Sequence, residues 1–250
     1  MQLGKKLTEG KTKEVYAHPT DATLAYLLHK DSISAGDGAR RNVIAGKGRV
    51  AGRTTANVYG FLNRHGVPTH FVSAPSAEMS LVRRCAMIPI EVVMRRIATG
   101  SYLKRNPGTA EGTRFDPPVV EFFLKDDARH DPQTTPAEIV SQGFGSAADV
   151  ERMEFVGRQV FLLLEQAWAE QNVQLVDLKI EFGRPVGDPT GQPVVADVID
   201  NDSWRLWPGG KKEQMLDKQV YRNMQVVSES GLSDLLQKYK TVAEMTGRFQ

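Results

Sequence analysis

Between Val173 and Gly183 the chain reads VQLVDLKIEFG, with Val176, Leu178, Ile180 and Phe182 on one side of a two-residue repeat. Asp177, Lys179 and Glu181 fall on the other side, the pattern of a strand with one apolar face. PVVADVI, after a GDPTGQ turn, is a second strand. From Ala147 to Gln171 the spacing becomes helical, and Val150, Met153, Val156, Val160, Leu163, Leu164 and Ala167 make one stripe. A second helix spans Ile44 to His65 through Val50, Val58, Phe61 and Leu62, stopped by Gly66 and Pro68. KLTEGKTKEVYAH and ATLAYLLHK predict strands around a turn, with a glycine inside the first unit. DSISAGDGAR reads as a polar loop. THFVS, EMSLVRRC, IPIEVVMRRIA and PPVVEFFLK are further strands, and two helices close the chain. This non-alternating order predicts an α+β fold, with a hand-over at Pro89 that divides the chain into 1–88 and 89–250.

Composition narrows the class. The chain has 250 residues, 40% hydrophobic and 25% charged, and carries a net charge of +2. That balance fits an ordinary globular protein and is too mild for a nucleic-acid footprint. No apolar run approaches the ~20 residues of a membrane span, and the polar start predicts a cytoplasmic protein. Cys85 is the single cysteine, which excludes an internal disulfide and any CxxC site.

An antiparallel pairing centred near Pro189 sets Glu181 opposite Asp197. Like charges across a ladder repel, so the pairing has two readings, a solvated face or a cation site. Mg²⁺, which takes carboxylate and phosphate oxygens, suits the second, with Lys179 beside it as a nucleotide donor. TEGKTKEVY is not a Walker loop, because Gly4 stands one residue too far from Gly10 and no strand precedes it. It is a glycine turn between two strands, with Lys11 and Lys13 on alternating positions: either a lid able to lie over phosphates or simply a pair of solubilising surface lysines. EFG lacks the companion motifs of a protein kinase. Two further segments read either as anion sites or as solvated basic patches: SISAGDGARR, and the Thr-Gly-Ser turn within VVMRRIATGSYLKRNPG with Arg95, Ser101, Lys104 and Arg105. FFLKDDARHDP ends a strand with Lys125, Asp126, Asp127 and Asp131.

Six of these segments, in this order, resemble the SAICAR synthetase family: EGKTKEVY, SAGDGAR, MIPIEVVMRRIATGSYLKR, FFLKDDARHDP, LVDLKIEFG and DNDSWRLWP. The last is worded nearer the animal branch of that family. The resemblance implies an ATP-grasp-like, two-lobed fold with antiparallel sheets, ATP lying between an N-terminal nucleotide lobe (1–88) and a C-terminal lobe (89–250). It implies ligation of L-aspartate to carboxyaminoimidazole ribonucleotide (CAIR), with ATP split to ADP and phosphate. It places Lys11, Lys13, Val15, Met87 and Lys179 at ATP, and Glu181 and Asp197 on Mg²⁺. Arg95, Ser101 and Arg205 would grip the ribonucleotide, with Lys125, Asp131 and Lys218 nearby and Asp37 and Gly38 lining the pocket. Lys13, Glu181 and Asp197 would be catalytic. A small-molecule kinase remains the rival, separated by the requirement for aspartate, and whether the chain forms a homo-oligomer is left open.

Overall fold

Short apolar runs bounded by turns close most readily as antiparallel hairpins, and hairpins build both main sheets. In the computed structural model, which describes residues 2–36, 38–188 and 190–250, β1 (Lys6–Glu9), β2 (Lys13–Ala17) and β3 (Leu24–His29) form a meander. The hairpin β4 (Ser32–Ala35) and β5 (Arg40–Val43) then leads into α1 (Lys47–Arg64). β6 (Phe71–Ser76) and β7 (Met79–Arg83) rejoin the first sheet, whose order is β1-β2-β3-β7-β6.

The second sheet begins with β8 (Cys85–Ile97), followed by the short α2 (Ser101–Arg105), β9 (Arg114–Leu124) and β10 (Gln133–Thr134). After α3 (Pro136–Ser141) and α4 (Ala147–Ala169) come β11 (Val173–Pro185), β12 (Val194–Ala196) and β13 (Trp204–Pro208). The order is β10-β9-β8-β11-β12, with β13 also on β11. α5 (Gln219–Asn223) and α6 (Glu229–Thr246) finish the chain, and α6 packs on α1.

The apolar face of β11 is buried, and α4 lies across it with the predicted stripe inward, except Leu163, which is half-buried. Helix and sheet meet closely at Gly157, where a Cβ would stand 3.1 Å from Met94 Sδ. Ser146 and Asp149 form a capping box at the start of α4. Asp149 also binds the Arg184 guanidinium through both oxygens, at 2.7 and 2.8 Å, which ties the helix start to β11. At the other end, fully buried Trp168 meets Trp204 and Phe249 edge-on, at centroid distances of 5.3 and 5.0 Å.

Four differences from the sequence reading have physical causes. DSISAGDGAR is a hairpin, because buried Ile33 packs with Ile44, Tyr221, Leu235 and Tyr239 in a small separate core. The DNDSWRLWP run contains β13, paired with β11 as Leu175↔Leu206 and Leu178↔Trp204. Two short helices, α2 and α3, arise where no long periodicity announces them. The register also differs: Glu181 lies across from Ala196 on one side and from Glu91 on the other, so its like-charged neighbour sits on β8. Asp197 lies beyond the end of β12, and Pro189 falls outside the described residues.

Truncating Trp168 to alanine should cost about 3–5 kcal/mol, the usual range for emptying a buried aromatic site, read as a lower urea midpoint. A loss below about 1 kcal/mol would mean that this aromatic corner is not a structural keystone.

Candidate active site

Three cavities run into one another, the first two between the sheets and the third along the second sheet. The first, about 350 Å³, is mostly apolar and is lined by Val15, Ala25, Leu27, Val82 and Met87. Its wall is tight at Gly183, where a Cβ would come within 2.7 Å of Cys85 Cβ. It shares Lys13, Lys125, Glu181 and Asp197 with a central polar cavity of about 520 Å³. Lys11, Gly38, Asp131 and Lys218 also line the central cavity. Through Lys179, Glu91, Asp131 and Asp202 that space continues into a third cavity of about 590 Å³, lined by Arg95, Ser101, Lys104, Arg105, Arg205 and Arg222. The cleft therefore passes from apolar, through lysine and carboxylate, to arginine.

Glu181 sits at the centre, 3% exposed. Lys125 Nζ meets its Oε2 at 2.5 Å, and Lys179 Nζ meets its Oε1 at 3.0 Å. Lys179 also reaches Glu91 at 2.8 Å, so a lysine supplies the positive charge between the two opposed carboxylates. Burial alone would raise Glu181, but Lys179, Lys13 and Lys125 outweigh it and hold the carboxyl at about 2. Burial alone would likewise lower Lys179, yet Glu181 and Glu91 raise it above the usual lysine range.

Asp197 faces the same space for a backbone reason. Its φ of 66° is left-handed, a conformation that aspartate tolerates better than most residues. This breaks the strand alternation after Ala196, so Asp197 does not share the buried face of Val195 and Ile199. The Tyr59 hydroxyl clamps the turn, 2.8 Å from the Ala196 carbonyl and 3.1 Å from that of Asp197. The carboxylate pairs with Lys13, and Lys11 reaches Asp127 at 2.8 Å.

In the third cavity Arg95 is buried between Glu121 (2.5 Å) and Asp177 (2.9 Å). Asp177 also accepts a hydrogen bond from Arg205, so one carboxylate aligns two guanidinium groups. Lys218 pairs with Asp202 at 2.8 Å, and the Tyr239 hydroxyl donates to the other Asp202 oxygen at 3.1 Å. Burial opposes ionisation of Asp202, but Lys47 and Lys218 bring it down to about 2, while burial and Asp202 push neighbouring Asp200 up. Of the predicted site residues, Asp37 lies outside the described residues, and every other one lines this continuous cleft.

A model described as SAICAR synthetase matches residues 6–239. A phosphoribosylaminoimidazole-succinocarboxamide synthase from a Roseiflexus species is 67% identical over 246 residues, covering 98% of each chain. The chain belongs to the SAICAR synthetase family. Among solved members, the synthase from Ehrlichia chaffeensis superposes with a TM-score of 0.88 at 28% identity, over 98% of this chain and 100% of that one. A SAICAR synthetase in complex with ADP gives a TM-score of 0.84 at 30% identity, over 96% of each.

Within this SAICAR synthetase fold, the sequence alone did not single out Glu91, Val93, Asp202, Ser203 and Arg222 as cleft residues, whereas Arg95 was expected there. Glu91, Val93 and Arg95 alternate on the cleft face of β8, a period-two signal that was present in IEVVMRR. Asp202 and Ser203 reach the cleft from the turn before β13 and Arg222 from the short helix α5, and none had such a signal. Among the described residues no group of three or more acidic, histidine or cysteine side chains forms a metal cage. The donor set that Glu181 and Asp197 bring to both the apolar and the central cavity is compatible with Mg²⁺, which commonly takes one or two carboxylates plus phosphate oxygens.

The depressed value of Glu181 sets a pH window. Its folded value of about 2 lies below its ordinary 4.5, so its ion pairs stabilise the fold fully above roughly pH 4.5 and lose that effect as pH falls through about 2. The thermal-stability gap between the native chain and Glu181→Gln should be flat above roughly pH 5 and close below it. A gap that stays constant down to roughly pH 2 would contradict this electrostatic picture.

Proposed function

We propose that this chain ligates L-aspartate to the carboxylate of CAIR, splitting ATP to ADP and phosphate and giving SAICAR, within de novo purine synthesis in the cytoplasm. The order of chemistry along one continuous cleft carries this reading: an apolar chamber, a lysine–carboxylate centre and an arginine chamber. It supports an adenine against Val15 and Met87, a triphosphate at Lys11, Lys13 and Lys179, and a ribonucleotide at Ser101 and Arg205. The lobes 1–88 and 89–250 would then close over ATP from two sides, with the glycine turn at Gly10 as the upper edge.

The chemical difficulty is that a carboxylate oxygen is a poor leaving group. Transfer of the γ-phosphoryl group to the CAIR carboxylate breaks the bond to the β-phosphate oxygen and forms an acyl phosphate. The aspartate amine then attacks the acyl carbon, loses a proton, and expels phosphate as the amide forms. Most of the protein's contribution is placement and charge neutralisation. Lys13 and Lys125 would turn from their carboxylates toward the transferring phosphoryl oxygens. Arg205, aligned by Asp177, would hold the ribonucleotide, with Arg95 acting behind it through the same carboxylate. Lys218 and Asp131 would face the acceptor, with Gly36 and Gly38 lining that side. Mg²⁺, held by Glu181 and Asp197, would offset charge on the phosphates.

ADP release should require CAIR and aspartate together. Release that persists without aspartate, with a phosphorylated product, would identify a small-molecule kinase instead. Glu181→Gln and Asp197→Asn should each lower kcat by ~100-fold or more while circular dichroism at the assay temperature stays native-like. Near-normal turnover in either variant would overturn the proposed centre. Arg205→Ala should raise KM for CAIR by about 10–100-fold with a much smaller effect on KM for ATP. Arg205 is the better probe, because it is partly exposed to the cavity, whereas Arg95 is buried between Glu121 and Asp177 and its loss would disturb a buried ion-pair network.

A further inference from the structure

Among the described residues that line the apolar chamber, one buried polar side chain has no hydrogen-bond partner. His70, 4% exposed, lines it between Thr69 and the start of β6. Its backbone is fully engaged: the N–H donates to the Val195 carbonyl at 2.8 Å, and its carbonyl accepts from Arg83 N–H at 2.7 Å. The ring stands edge-on to Tyr59 at 5.1 Å. Neither ring nitrogen has a hydrogen-bond partner among the described residues. A buried polar group left unpaired costs about 1–3 kcal/mol, and native proteins leave few of them without a purpose.

We propose that His70 reads the nucleotide base, one imidazole nitrogen accepting a hydrogen bond from the exocyclic amine of adenine. This rests on the proposed use of ATP and adds to it a residue that selects the base. Two observations support the acceptor role. The imidazole is neutral at physiological pH, because burial lowers it to about 3 and nearby Lys13 and Arg83 push it the same way. The Val195 carbonyl works in the opposite direction, favouring a proton on the ring. A neutral imidazole carries its proton on one nitrogen and keeps a lone pair on the other. An amine at purine position 6 satisfies that lone pair, whereas the carbonyl of hypoxanthine or guanine repels it. The surrounding Val15, Leu27 and Val82 are apolar and can grip a purine without distinguishing one from another.

ADP and IDP, which differ in the group at position 6 and the accompanying proton on N1, provide the test by isothermal titration calorimetry, with neither CAIR nor aspartate present. The native chain should bind ADP about tenfold or more tightly than IDP. His70→Leu should reduce that ratio to about twofold or less, mainly by weakening ADP. His70→Gln, which retains an acceptor, should keep most of it. A folded His70→Leu variant with the native ratio would overturn the assignment. Should that variant fail to fold, ¹⁵N imidazole shifts in the native chain decide: a His70 shift with ADP but not with IDP supports the proposal, and identical responses overturn it. Preferential ADP binding without CAIR-dependent ligation would leave base reading intact and defeat the ligase reading. Ligation with unchanged base selectivity in His70→Leu would do the reverse, and binding of neither nucleotide would overturn both.

Discussion

A buried carboxylate surrounded by ammonium groups is the constraint around which the cleft is organised. Glu181 is almost out of solvent, and an unpaired ion there would cost several kcal/mol. Lys125 and Lys179 touch it and Lys13 lies close enough to stabilise it, while Glu91 and Asp197 hold the outer sides of Lys179 and Lys13. No member can change state without disturbing its neighbours. Every one is anchored on a strand or at a strand end, so charge is stored in fixed positions before any ligand arrives. Such preorganisation suits phosphoryl chemistry, because an incoming polyphosphate can replace carboxylates as the lysines' partner with little rearrangement.

The arginine chamber follows the same logic with different groups. Glu121 ties together Arg95 and Arg105, and Asp177 ties together Arg95 and Arg205. Planar guanidinium groups fixed from behind present their remaining N–H groups in set directions. Two long central strands, β8 and β11, carry the inner residues of both chambers, so their spacing follows the strand repeat of ~3.3 Å per residue.

How much of this was legible in the sequence depended on whether a residue's partner was near it in the chain. The α4 stripe and the alternation of β11 are strong local signals, and both elements formed where the pattern placed them. The β4–β5 hairpin was not legible, because Ile33 is buried by side chains about two hundred positions later. The expected opposition of two carboxylates does exist, but between Glu181 and Glu91. Finding it required knowing that β8 and β11 are neighbours. Asp197 reached the cleft through a left-handed turn that strict alternation cannot anticipate. Arg95 lines the arginine chamber as its charge suggested, but its buried contacts with Glu121 and Asp177, and the carboxylate it shares with Arg205, come from neighbouring strands and had no local signal.

That left-handed turn also restricts which acid can occupy position 197. Aspartate tolerates positive φ better than glutamate does, because its short side chain can bond locally to the backbone. Glutamate would meet backbone strain and also push its carboxyl one methylene further, past Lys13. The main chain at the end of β12 therefore sets the reach of the acid it carries.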